Sequence, residues 1–315
     1  MWIVGLSIMC LGLFGYGIAN STNGIPDPAY IAGQSLVYAL LLWAVFSVIF
    51  LRSQGSGARA VAFAALFLAF FTGDLVAASY QRQQVATVAS SIQEEVNRVA
   101  AAQQDADGFP KRIERVKNES PKAAGDLGVM ERFIKEHIDR LVAQQNDYLL
   151  ELEAIGWNSV LDVSRIRNDP RMADSKLILE RAKAIVAKYE KKSLDQLDGM
   201  ATRINALNIS DSNKRDMLAG LEKNMGKSKK RFQDQWTLEK EVVAQFESAV
   251  LMLAARNKWV LDGEQILFYN DSDAERFNLY IANIERLGQQ QEKIQHDALV
   301  EANKKLDAMK AASRS

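Results

Sequence analysis

The chain has 315 residues, with 39 basic and 39 acidic side chains, 48% hydrophobic residues and a single cysteine. That charge balance argues against a nucleic-acid partner, because phosphate binding needs a concentrated basic surface. The cysteine, Cys10, lies in an apolar stretch near the start, so positions 81–315 have neither disulfides nor thiol chemistry.

Three long apolar stretches, residues 2–19, 31–51 and 60–80, precede a long extension that contains none. Each is close to the ~20 residues that a helix needs to cross a ~30 Å hydrocarbon core. Backbone groups in lipid must bond to one another, so helices are the expected form. Trp2, Tyr30 and Tyr80 sit near the stretch ends, where amphipathic rings favour the interface. The reading is a three-span anchor in a lipid bilayer. The opening MWIVGL has no basic residue, which argues against a cleaved signal peptide despite the small Gly17 and Ala19. Met9 is too bulky for the position before a lipid-accepting Cys10.

Basic residues then set the orientation. Arg52 and Arg59 lie between the second and third stretches, whereas NSTNGIPDPAY, between the first and second, has no Lys or Arg. The positive-inside rule puts the 52–59 connection in the cytoplasm. Residues 81–315 are therefore expected on the other side of the membrane, which is expected to be a bacterial inner membrane.

The third stretch carries Ala65, Ala69, Gly73 and Ala77 at four-residue spacing. Such a stripe lets another helix backbone come close. The expected occupants are the other spans, a second copy of the chain, or another membrane or envelope protein. Asp74 lies beside the stripe, and an ionisable group at that depth is a candidate functional residue. It is also about 9 Å from the end of the stretch, so it can reach the headgroups.

Beyond Tyr80 the pattern predicts an all-α extension. The third span is expected to run on through Val85, Ala89, Ile92, Val96 and Val99 to about Asp105. A polar segment follows, with a capped turn expected at Ser120 and Pro121. Helices are then expected over 128–155, from Asp169 and Pro170 to about Leu207, and from about Ser212 to about Leu261. The dipeptide Asp262-Gly263 allows a tight hairpin over 259–269 instead of a helix end. Ser272 and Glu275 are expected to form a capping box that opens a last helix, to about Met309.

Apolar residues recur in steps of four and three. One such seam is Ile134, Ile138, Leu141, Gln145, Tyr148, Leu152 and Ile155; another is Phe277, Tyr280, Ile284, Leu287, Gln291, Ile294 and Ala298. Narrow seams of this kind belong to coiled coils and to slender antiparallel bundles. Gln103, Gln145 and Gln291 at seam positions suggest either register control with movable packing or the wet ends of the bundle.

Motif-like strings carry little. Phe14-Gly-Tyr-Gly17 resembles an ion filter but lies inside an apolar helix. Gly220 and Gly226-Lys227-Ser228 resemble a phosphate-binding loop with a spacer one residue too long and no preceding strand. Asp271 and Asp273 are read as helix-capping residues, since Arg276 stands where a calcium loop needs glycine. Glu292 and His296 make half a metal site at most, and both His137 and His296 are expected on the bundle surface. No cofactor, metal or nucleotide is expected. The chain reads as a non-catalytic scaffold, tether or interaction module, the alternatives being a sensor that relays bundle movement through the third span and a transport component that uses Asp74.

Overall fold

The computed structural model describes residues 31–32, 34–40, 56–104, 120–169 and 171–313. Of the expected spans, 2–19 and the later part of 31–51 lie outside the described residues. The described chain is helical apart from one short hairpin. Its elements are α1 (Ser56–Gln104), α2 (Gly125–Ala154), α3 (Val163–Asn168), α4 (Ala173–Asp198), α5 (Met200–Asn205), α6 (Asp211–Ala254), β1 (Trp259–Asp262), β2 (Gln265–Phe268) and α7 (Asp271–Ala312).

The expected continuity across Tyr80 is present. α1 is one helix of 49 residues, about 73 Å long. Among the described residues it holds the one segment long and apolar enough to cross a membrane, Ala64–Ala101. Its first part is largely exposed to the surroundings, whereas Val85, Val88, Ala89, Ile92 and Val96 are at most 1% exposed. The same helix thus changes from an outward-facing apolar rod to a core element of the bundle.

The five long helices are neighbours in a closed order: α1 beside α2, α2 beside α4, α4 beside α6, α6 beside α7, and α7 back beside α1. Polar cross-links give the directions. Glu151 accepts from Lys188, and Gln144 donates to Ser193, so α2 and α4 are antiparallel. Lys240 bonds Glu190 and Lys183 bonds Glu247, which makes α4 and α6 antiparallel. Lys227 with Glu301 and Asn283 with Gln245 do the same for α6 and α7. Asn303 with Asn97 and Gln93 with Asp307 make α7 antiparallel to α1.

α1 and α2 depart from the expected antiparallel arrangement. Gln84 meets Ala124 and Ser91 meets Glu131, so these two helices run in the same direction. The contact that fixes this is a carboxylate. Glu131, 0% exposed, accepts from Ser91 Oγ of α1 at 2.7 Å, from the backbone N–H groups of Lys122 and Ala123 at 2.9 and 3.0 Å, and from Lys135 Nζ at 2.9 Å. Burial alone would raise its pKa, but these hydrogen bonds outweigh burial and hold it below the ordinary value.

Helix ends follow from what satisfies their free N–H groups. α2 has no side-chain cap of its own; Gln84 accepts from the Ala124 N–H, and Glu131 takes the two before it. The capped turn expected at Ser120 and Pro121 is replaced by this bent lead-in. Asp126 of α2 accepts from Ser210 N and Asn213 Nδ2, both at 2.8 Å, and so caps α6 from outside. Asp169 serves α4 at a distance, accepting from Ala173 N and Ser175 N, while Met172 takes a left-handed conformation at φ 52. The helix expected to run unbroken to Leu207 is divided at Gly199 into α4 and α5.

The hairpin alternative is the one that forms. Trp259 pairs with Phe268 and Asp262 with Gln265, leaving Gly263 and Glu264 as the turn. Gly263 has φ 61, and this first turn position favours a residue without a Cβ. α6 therefore ends at Ala254 rather than near Leu261. Trp259 is buried at 2% exposure and donates its Nε1–H to Leu253 O at 2.8 Å. Tyr269 N donates to Lys258 O at 2.9 Å and closes the hairpin. Asn270 thus becomes the N-cap of α7, accepting from Asp273 N at 3.0 Å, two residues before the expected Ser272.

Two outcomes test the lead-in to α2. Glu131→Ala strands the buried Lys135 ammonium, so it should destabilise the bundle by about 3–5 kcal/mol, read as a large drop in thermal midpoint by circular dichroism. A Cβ at Gly128 would sit 2.4 Å from the Ala123 carbonyl oxygen. Gly128→Ala should therefore push the lead-in off Glu131 and cost about 1–3 kcal/mol in the same measurement.

Candidate functional site

The expected membrane-side residues fall into two groups. Ala65, Ala69, Gly73 and Ala77 are all exposed, and a Cβ at Gly73 would meet nothing within 4 Å. The helical segment 34–40 packs instead on the adjoining face of α1. There Ile31 clusters with Ala78 and Phe71, and the Tyr38 and Phe70 rings lie 6.3 Å apart. Asp74 belongs to this face: its Oδ2 accepts from Ser35 Oγ at 2.9 Å. Ser35 is 0% exposed, so the carboxylate is tied to a neighbouring helix. The contacts pair low numbers on one segment with high numbers on the other, which makes the two antiparallel.

Further along the axis lies a buried polar layer that the sequence only hinted at. Tyr148 of α2, 1% exposed, donates its hydroxyl to Glu239 Oε1 of α6. Its ring meets Tyr189 of α4 and Trp236 of α6 edge-on, at centroid distances of 5.3 and 5.7 Å. Gln144 Nε2 donates to Ser193 Oγ at 2.7 Å, and Ser193 in turn bonds the Tyr189 carbonyl. Gln145 and Gln291 are each 1% exposed and Gln235 is 3% exposed. The α6–α7 register, with Arg231 at Glu301 and Gln245 at Asn283, puts Gln291 opposite the 235–239 turn. Four helices therefore contribute polar side chains to one level of the core.

This layer is under-satisfied by protein. Gln144 Oε1, Gln145 Oε1, both amide atoms of Gln235 and of Gln291, Trp236 Nε1 and Glu239 Oε2 have no hydrogen-bond partner among the described residues. A buried polar atom without a partner costs about 1–3 kcal/mol. Summed over this set, the cost is on the order of 10 kcal/mol, comparable with the whole stability of a typical domain. Burial pushes the Glu239 carboxyl above its ordinary value, against the pull of the Tyr148 hydrogen bond. Burial and then the Glu239 charge push the Tyr148 hydroxyl up as well.

Of the three glutamines marked by the seams, Gln145 and Gln291 fall in the layer, and the Gln103 side chain lies outside the described residues. Glu239, Gln235 and Trp236 were missed. Position 239 continues the i, i+4 spacing from Gln235, but a glutamate on a helix of mixed charge carries no mark of burial.

His137 corrects another expectation. It is 2% exposed rather than on the surface, with Arg203 Nη1 3.3 Å from its Nδ1. Arg203 also lies over the Phe133 ring at 4.9 Å. Burial, then the charges of Arg203 and Arg140, push the His137 pKa down to about 3. It is therefore a neutral core residue at physiological pH. His296 is exposed, as expected.

Stability should record Glu239 directly. Below the ordinary value of 4.5, folded and unfolded chains both hold its proton. Above it the unfolded chain releases the proton first, so stability from this group declines as pH rises toward the folded value. Glu301 acts on the acid side: hydrogen bonds from Lys227 and Arg231 outweigh its burial and bring it to about 2, so its contribution is lost as pH falls below 4.5. In urea melts, Glu239→Gln should flatten the decline above pH 4.5 and leave the acid limb unchanged. Parallel profiles for the two proteins would contradict this account.

Comparison with protein-family models, with curated proteins and with solved structures gave no match.

Proposed function

We propose that this chain is a non-catalytic, membrane-anchored spacer or scaffold whose helical bundle holds another envelope component at a set distance from the bilayer. The observation that carries this reading is α1, a single 49-residue helix with one part apolar and outward-facing and the other built into the bundle core. A helix without a break transmits position and load between the two parts. α6, at 44 residues, gives the bundle a reach of about 66 Å. In this reading the anchor has three spans, the 52–59 connection is cytoplasmic and the bundle is extracytoplasmic. The partner is a second copy of the chain or another membrane protein, for which the exposed Ala65, Ala69, Gly73 and Ala77 stripe offers close backbone approach.

A second reading, transduction of a bundle rearrangement through α1, is favoured by the same continuity together with the under-satisfied layer at Glu239. Spin labels in the 52–59 connection separate the two readings, since a spacer leaves that connection unchanged when the bundle is loaded. Transport through Asp74 is the third possibility. The Ser35 hydrogen bond instead gives Asp74 the work of joining two helices of the anchor.

Compartment reporters at Ser315 and within 52–59 test the topology, and the expected result is an extracytoplasmic signal at the first and a cytoplasmic signal at the second. Cross-linking in intact membranes should capture a discrete larger species. A cytoplasmic Ser315, or a lone monomer that captures nothing, would overturn the spacer reading.

A further inference from the structure

We propose that the polar layer around Glu239 is a binding site for internal water, about three molecules held between α2, α6 and α7. The proposal stands on the chemistry of the unpartnered atoms and goes beyond the spacer reading without depending on it.

The atoms specify the guest. Gln144 Oε1, Gln145 Oε1, Gln235 Oε1 and Gln291 Oε1 require donors, Trp236 Nε1, Gln235 Nε2 and Gln291 Nε2 require acceptors, and Glu239 Oε2 requires an acceptor while the carboxyl holds its proton and a donor once it is ionised. A bound cation serves the oxygens and leaves the three N–H groups unmet. An apolar guest serves none of them. Water both donates and accepts, and a buried water typically makes about three hydrogen bonds, so eight atoms call for about three molecules. Amide orientation does not alter the argument, because both amide atoms of Gln235 and of Gln291 are unpartnered.

The neighbourhood retains the guest. Tyr148, Tyr189, Phe232 and Trp236 are each at most 2% exposed and shield the level. The ion pairs of this region, Lys240 with Glu190 and Lys192 with Asp147, join partly exposed side chains on the outside. They leave the Tyr148–Glu239 pair to be completed by neutral groups.

X-ray hydroxyl-radical footprinting of the full chain in detergent, in ¹⁸O-labelled water with peptide mass spectrometry, tests the site without any variant. Radiolysis of a resident water labels the side chains beside it. Trp236 and Trp259 are both 2% exposed, but Trp259 Nε1 is satisfied by Leu253 O. Trp236 and Tyr148 should take up ¹⁸O at least several-fold faster than Trp259, and equal rates for the two tryptophans overturn the proposal. In the double variant Gln235→Leu and Gln291→Leu, Trp236 should slow to the rate of Trp259. Continued fast labelling there would show that solvent reaches Trp236 by opening of the bundle, and would overturn the proposal too.

Discussion

The arrangement of this molecule depends on one buried carboxylate. Glu131 gathers a hydroxyl from α1, two backbone N–H groups from the lead-in to α2 and the Lys135 ammonium around a single side chain that solvent does not reach. A buried charge with that many partners is satisfied in one geometry and costly in every other. It sets the parallel course of α1 and α2, and through α2 the level of everything packed on it. α4, α6 and α7 then follow by antiparallel packing of their apolar faces. The helix that comes from the apolar segment is thus locked into the bundle by hydrogen-bond geometry in addition to hydrophobic contact, which alone permits sliding.

The two buried polar clusters are opposites in kind. Around Glu131 donors and acceptors balance within the protein. Around Glu239 they do not, and the carboxyl there has a tyrosine for company rather than a lysine. The first arrangement specifies register; the second leaves polar atoms of one level without partners among the described residues. His137 and Arg203 form a third kind, in which burial suppresses the charge on one partner and an aromatic face receives the other.

Much of the architecture was legible in the residues, because long helices announce themselves by periodicity. The run of α1 across Tyr80, the division into long helices and the turn at Asp262-Gly263 all follow from apolar spacing and turn chemistry. Tertiary satisfaction of backbone groups was not legible. Ser272 looks like a better cap than Asn270 until the Tyr269–Lys258 bond ends the hairpin just before Asn270. Nothing local marks Asp126 as the cap of a helix that begins at Asp211. The candidate site was half visible: glutamines in an apolar seam stand out, whereas Glu239, Lys135 and Glu131 look like ordinary surface charges until the partner helices are in place.

The parallel course of α1 and α2 has a mechanical consequence. α1 enters the bundle at the same pole at which α7 ends, while the hairpin and the start of α4 lie at the other pole. A pull between the apolar segment and the far pole therefore loads the helix interfaces lengthwise, in shear, so that contacts along their full length must yield together. Had α1 been joined end to end with a helix leading outward, the same pull would have peeled contacts one turn at a time. This topology resists tension.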